Sequence, residues 1–263
     1  MFRERLWRKV PFWVCIFGVN VDKIKVFSRS SLFFFCFVVG IFLFALLLIL
    51  SIPLTTLARR RQFVNLWARF NLFILDWCCG LTVRISGLDN LPPAPYMILC
   101  KHQSAWETVT LQAIFPEAVL ILKKSLLNIP FFGWGIMASG QIAIDRSQGV
   151  KALRLMGVKC QQAFDSGNSV LIFPEGTRVA PGEVGKYNPG GVGMALSSGV
   201  PIVPVAHNAG LFWGRKAFLK RPGEIQLRIA PPIPTTGLGK GDRKALNLQV
   251  QDTIEGMMAQ IAG

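Results

Sequence analysis

The sequence predicts an α/β domain with a mixed, largely parallel central sheet flanked by helices, preceded by an N-terminal hydrophobic helical membrane anchor. Three observations carry this expectation. Residues 32–52, LFFFCFVVGIFLFALLLILSI, hold no charged side chain. After Gly80, short β-rich runs alternate with amphipathic helical stretches, as in βαβ units. The 263 residues suffice for one sizeable α/β domain plus an anchor.

The uncharged run comes first. It is long enough to cross the hydrocarbon core as a helix, which takes about 20 apolar residues. It starts too late and runs too long for a cleavable signal peptide, and no small-x-small site follows it. Arg3, Arg5, Arg8, Lys9, Lys23, Lys25 and Arg29 precede it; Arg59, Arg60, Arg61 and Arg69 follow. Basic residues on both sides leave the positive-inside rule nothing to choose between. Residues 62–80, QFVNLWARFNLFILDWCCG, predict a second, amphipathic helix. A helical hairpin that enters one leaflet and returns, and a simple span with a basic outer tail, both fit. The short apolar stretch 12–19 suits the membrane interface.

Seven strands are expected beyond Gly80: 81–87, 96–100, 119–123, 141–144, 169–173, 201–206 and 225–230. Helices are expected at 105–115, 150–165, 189–198 and 242–261. In the second, Val150, Leu153, Gly157, Cys160 and Phe164 share a face, with Gly167 as the stop. In the last, Leu246, Val250, Ile254, Met257 and Ile261 fall at helical spacing. The chain divides into an anchoring region, 1–80, and a catalytic domain, 81–263.

Composition narrows the function. Apolar residues make up 51% of the chain and mean hydropathy is +0.42, too apolar for an ordinary soluble domain. The net charge of +15 calls for a polyanionic partner, and beside so apolar an N-terminus anionic lipid comes before nucleic acid. The six cysteines form no C-x-x-C pair, disulfide framework or zinc spacing, and two histidines exclude a His-rich metal site. A reduced, cytosol-facing domain follows.

Polar residues cluster just after several strands, where open α/β sheets bind ligands. KHQSAWE follows 96–100. His102 is suited to take a proton near neutral pH, and Glu107 can fix its tautomer and stabilise the imidazolium. The same segment also reads as a capping box, with Ser104 as N-cap and Glu107 at N3. No G-x-S-x-G elbow supplies a serine nucleophile, so His102 would activate a substrate hydroxyl directly. In PEGTR, Arg178 offers a planar fork for phosphate, Gly176 lets backbone approach a ligand, and Glu175 can accept from a substrate hydroxyl. Lys123 and Arg146 end strands and can add positive charge. Lys101 adds charge near the cleft. His207, with no acidic residue near it in sequence, reads as structural. The stretch 129–140, IPFFGWGIMASG, fits an acyl pocket, a lipid contact or plain core.

These residues form four motifs in order: KHQSAWE, GQIAIDR, FPEGTR and VPIVPVA. In them the chain resembles the glycerolipid acyltransferases of the lysophosphatidic acid acyltransferase type, the bacterial 1-acyl-sn-glycerol-3-phosphate acyltransferases, over about 80–230. The resemblance implies their fold and a transfer from an acyl thioester, acyl-CoA or acyl-ACP, to the sn-2 hydroxyl of lysophosphatidic acid, with no cofactor and no metal. It implies His102 as general base oriented by Glu107, and Arg178 with Glu175, Gly176 and Thr177 on the glycerophosphate. Lys123 and Arg146 would be auxiliary phosphate ligands, and Pro204 would shape the donor side. The family's usual aspartate is Glu107 here, one methylene longer. The expected setting is a bacterial cytoplasmic (inner) membrane with the site facing the cytoplasm and anionic lipids around it. Other acceptors, namely glycerol-3-phosphate, a lyso-phospholipid or a lyso-aminolipid, stay open. So does a membrane-anchored binding protein for anionic lipid or nucleic acid. Nucleic acid is not expected as a partner, because the basic clusters flank the apolar anchor rather than alternate with stacking aromatics.

Overall fold

The computed structural model describes residues 21–261. The stretch 12–19 and the basic residues Arg3, Arg5, Arg8 and Lys9 lie outside the described residues. The chain opens with α1 (Val21–Leu50) and α2 (Leu57–Cys79). The Thr56 hydroxyl caps α2 by accepting from the Arg59 N–H, and Gly80 ends it in the left-handed conformation. The two helices pack as an antiparallel hairpin, with Arg29 beside Cys79 at one end and Gly40 against the Phe70 ring midway.

The remaining elements are β1 (Leu81–Ser86), β2 (Met97–Cys100), α3 (Trp106–Ile114), β3 (Ala118–Lys123), α4 (Phe132–Ala138), β4 (Ile142–Ile144), α5 (Val150–Asp165), β5 (Ser169–Ile172), α6 (Gly190–Ser198), β6 (Ile202–His207), α7 (Ala209–Phe212), β7 (Gly223–Ile229) and α8 (Arg243–Ile261). All seven expected strands join one sheet, in the order β1-β7-β6-β2-β5-β3-β4. The five strands from β6 to β4 run parallel. β7 turns antiparallel to β6 and carries β1 parallel to itself, so the sheet is mixed as expected.

Alternation along the central strands sends neighbouring residues to opposite faces. Ile98, Leu120, Leu171 and Val203 pack with Trp106 and Leu111 of α3 and with Ile74 and Leu75 of α2. Met97, Val119, Val170 and Ile202 pack with Cys160 of α5, Val192 of α6 and Val250 of α8. The hairpin is therefore a layer of the fold. Phe33 of α1 is 1% exposed and meets Trp213 edge-on at 5.5 Å. The opposite side of α1 leaves Phe27, Phe34, Phe35, Leu43, Leu47 and Leu50 exposed. By length and composition α1 can cross a membrane.

Two helix faces differ from expectation. In α5, Val150 and Leu153 point outward, while Ala152, Cys160, Ala163 and Phe164 are buried. The inward stripe starts at Ala152, a small residue that lets the helix lie close to β4, and runs through Met156. In α8, Met258 rather than Met257 continues the buried stripe, four residues beyond Ile254. Within 129–140 the short helix α4 buries Gly133 and Ile136 and exposes Trp134 and Met137.

Candidate active site

Parallel strands β2, β3, β4, β5 and β6 end on one edge of the sheet, and the segments after them carry His102, Lys123, Arg146, Glu175 and His207. Three motifs far apart in sequence therefore meet at one rim, where such sheets bind ligands, while VPIVPVA forms the buried strand β6 beside β2.

His102 leaves β2 on the turn into α3. Its ring stacks on Phe173 at 4.0 Å, the first residue of FPEGTR. Its Nδ1 lies 2.7 Å from Glu107 Oε2, and the His102 side chain is 14% exposed against 0% for Glu107. Glu107 Oε1 accepts backbone N–H groups from Gln103 at 2.7 Å and Ser104 at 2.6 Å. The Ser104 hydroxyl accepts from the Trp106 N–H at 3.1 Å. The helix starts one residue later than the expected capping box, with Ala105 and not Ser104 as N-cap, yet one Glu107 oxygen closes the turn and the other holds the imidazole. A carboxylate can only accept, so Nδ1 carries the hydrogen and the Nε2 lone pair is left to take a proton. The turn is tied to the next motif by the Val179 N–H, which donates to the His102 carbonyl at 2.8 Å.

FPEGTR follows β5. Gly176 has φ +70°, and a Cβ there would stand 2.9 Å from Arg146 Nη1. Arg146 Nη1 itself donates to the Gly176 carbonyl, which brings GQIAIDR and FPEGTR together. Thr177 is exposed and Arg178 half-buried, with Arg178 Nε lacking a hydrogen-bond partner among the described residues. Lys123 is exposed at the end of β3, paired in register with Ile144 and so next to the segment that carries Arg146.

Three residues depart from expectation. Glu175 is 6% exposed and lies 3.4 Å from Lys101 Nζ, with neither carboxylate oxygen hydrogen-bonded among the described residues. Burial pushes its carboxyl up to about 7, with the Lys101 ammonium opposing. Lys101 adds no charge to the cleft. It is 0% exposed, its Nζ lies 2.6 Å from Glu255 of α8, and it also donates to the Glu183 carbonyl. Tyr187 Oη donates to the same Glu255 oxygen at 2.8 Å. His207, expected to be structural with no acidic residue near it in sequence, lies 3.2 Å from Glu107 Oε1 in space. Sequence reasoning missed these contacts because Glu255 and Glu107 stand 154 and 100 residues away from their partners. The signal that was present is a lysine ending the otherwise apolar β2 run and a histidine ending the apolar β6.

An apolar cavity lies between the hairpin, β3 and α4. Its walls are Ile41, Phe44 and Leu48 of α1, Val64 and Trp67 of α2, Leu120 and Leu122 of β3, and Phe132, Gly135 and Ile136 of α4. Thr108 and Gln112 of α3 complete it, so the cavity reaches the residue after Glu107. Stretch 129–140 is thus partly cavity wall.

Among known proteins, residues 82–208 match the family model described as Acyltransferase. The chain is 37% identical over 235 residues to the 1-acyl-sn-glycerol-3-phosphate acyltransferase of Pseudomonas aeruginosa, covering 89% of this chain and 91% of that protein. It is 30% identical to the human 1-acyl-sn-glycerol-3-phosphate acyltransferase alpha, over 89% of this chain and 84% of the relative. The crystal structure of the 1-acyl-sn-glycerophosphate acyltransferase PlsC from Thermotoga maritima superposes with a TM-score of 0.75 at 21% identity, over 90% of this chain and 96% of that one. That superposition establishes the shared fold, and the two sequence relatives, each aligned over nearly its whole length, establish the family. This chain belongs to the 1-acyl-sn-glycerol-3-phosphate acyltransferase family.

Proposed function

We propose that the protein moves a fatty acyl group from an acyl thioester, acyl-CoA or acyl-ACP, to the sn-2 hydroxyl of lysophosphatidic acid, giving phosphatidic acid for phospholipid synthesis. The observation that carries this is the 2.7 Å His102–Glu107 pair standing against the FPEGTR turn. His102 Nε2 takes the hydroxyl proton as the oxygen attacks the thioester carbonyl. The tetrahedral centre collapses, the carbon–sulfur bond breaks, and the departing thiolate takes the proton back from the imidazolium. Glu107 stabilises that imidazolium and keeps the ring in the right tautomer. No residue is acylated and no cofactor takes part.

Arg178 and Thr177, with the backbone at Gly176, hold the glycerophosphate, and Arg146 and Lys123 supply further positive charge. Glu175 serves them indirectly, by fixing the turn to Lys101. The apolar cavity receives an acyl chain with its reacting end at the rim. The 1–80 region anchors the protein and 81–263 carries out the transfer. The hairpin sits in one leaflet of a bacterial inner membrane, with the site on the cytoplasmic side. Supporting this over a free span, one side of α1 is committed to the domain at Ser30 and Phe33, to Phe70 of α2 at Gly40, and to the cavity at Leu48. Anionic lipids contact the basic surface around it.

The test is a panel of acceptors with labelled acyl-CoA and membranes carrying the full chain. Labelled phosphatidic acid from lysophosphatidic acid, well above product from glycerol-3-phosphate or other lyso-lipids, is expected. A strong preference for another acceptor would refute the substrate assignment.

A further inference from the structure

His207 is fully buried, ends β6, and has no place in the acyl-transfer steps above. Its hydrogen bonds fix its tautomer. The Ala209 backbone N–H points at Nδ1 at 3.2 Å, and a backbone N–H can only donate, so Nδ1 is the acceptor. The hydrogen of the neutral ring therefore sits on Nε2. That atom is 2.9 Å from the Lys101 carbonyl and 3.2 Å from Glu107 Oε1, two acceptors side by side. Trp106 lies against the ring, with centroids 5.5 Å apart.

The groups around His207 favour the neutral form. Burial lowers its proton affinity, the Glu107 carboxylate and the Lys101 carbonyl oppose this, and the charges of His102 and Lys101 add to the lowering. A neutral donor with no route to solvent is a fixed donor. Glu107 is then held from three sides: Oε1 accepts from Gln103 and Ser104 with His207 Nε2 3.2 Å away, and Oε2 faces His102.

From this arrangement we infer that His207 is a positioning residue for the acyl transfer, acting through Glu107: its Nε2–H donates to the Lys101 carbonyl, and its positive end, 3.2 Å from Oε1, holds that oxygen by charge–dipole attraction so that Oε2 faces His102. The inference rests on the proposed role of the His102–Glu107 pair. The two histidines are bridged by one carboxylate, one at the cleft and one sealed behind it. The alternative is a structural role alone, tying the end of β6 to the Lys101 carbonyl, and the two make different predictions.

The experiment uses the full chain in membranes, with lysophosphatidic acid and labelled acyl-CoA. His207→Leu fills the space but removes the donor, whereas His207→Gln keeps an N–H that can reach Glu107. His207→Leu is expected to lower kcat by about tenfold, through loss of the polar contact beside Oε1, with KM for lysophosphatidic acid unchanged. His207→Gln should recover most of that loss. On a Glu107→Ala background, His207→Leu should cost nothing further, because the group it positions is gone. Equal kcat in the Leu and Gln variants, or the same fold-loss with and without Glu107, would overturn the inference and leave a structural role. Should the Leu variant fail to accumulate, Gln against Asn, whose donor falls short by one methylene, carries the same comparison. Wild-type inactivity on lysophosphatidic acid would instead sink the substrate assignment, and the series would then run on the acceptor that wild type does use.

Discussion

One carboxylate connects most of the site. Glu107 is buried, and a buried charge survives only where its oxygens are met by donors. Here the donors come from its own turn and from the cleft histidine, with His207 of β6 standing 3.2 Å away. The extra methylene relative to the family's usual aspartate lets the carboxylate reach all of them from the first turn of α3. Glu107→Asp, although it restores the more common residue, is therefore expected to lose roughly tenfold or more in kcat, since at least one contact must lengthen. Steady-state kinetics on the membrane-bound variant checks this; unchanged kcat contradicts it. Glu175 gives a second expectation. Its folded value, about 7, stands above the ordinary 4.5, so the penalty for ionising it inside the protein is absent below about pH 4.5 and complete above about pH 7. Wild type should lose stability across that window, by an amount on the order of 3 kcal/mol at most, and Glu175→Gln should not. Thermal melting at pH 5 and pH 8 in detergent distinguishes them; parallel curves would contradict the burial argument.

Legibility at this scale followed sequence distance. His102 and Glu107 could be read because they lie within one turn, while the cap fell on Ala105 instead of Ser104. Lys101 and His207 could not, because what surrounds them comes from α8 and α3 and only folding brings those elements near. A lysine in a motif reads as cleft charge until Glu255 is seen beside it.

Among the elements, the hairpin is half anchor and half core. Phe33 joins the central cluster, packed against Trp213 and 4.8 Å from Lys220 Nζ. Phe33→Ala should cost about 3–5 kcal/mol, the usual penalty for emptying a buried aromatic site, and should loosen α1 from the domain. Limited proteolysis near Ser51 reports that loosening; an unchanged digestion pattern would mean the contact adds little. The apolar cavity lies between the same hairpin and α4, where Gly135 lines the wall and leaves Leu48 4.0 Å from the place of a Cβ. Gly135→Ile narrows the cavity and should shift preference toward shorter acyl chains, as product analysis with mixed acyl-CoA donors would record; an unaltered product mixture would place the chain elsewhere. Strand positions were legible almost to the residue, because short β-branched runs bounded by polar turns are local signals. The faces of α5 and α8 were less so. Both helices carry more apolar positions than they bury, and only the closeness of the sheet at Ala152 and the phase set by Ile254 decide which stripe turns inward.

At the scale of the whole molecule, the parallel block explains why three short motifs, each weak alone, meet at one rim, with the fourth supplying the buried strand β6 beside β2. Their order along the chain was visible in the sequence. The reversal at β7 was not, since strand direction depends on pairing rather than pattern. The net charge of +15 and the outward apolar side of α1 belong to the same surface logic. Association with vesicles rich in anionic lipid should exceed that with neutral vesicles, and the difference should shrink as salt rises from about 0.01 M to 1 M and the screening length contracts from roughly 30 to 3 Å. Salt-independent binding would assign it to the apolar hairpin alone.

The central claim is that His102 moves the proton while the rest of the site holds the substrates. It is tested most directly by acyl transfer to lysophosphatidic acid in membranes carrying either wild type or His102→Ala at matched abundance. The expected result is labelled phosphatidic acid from wild type and a loss of at least about a hundredfold in the variant, in line with removal of a general base. A His102→Ala enzyme that keeps wild-type turnover would contradict the mechanism at its first step.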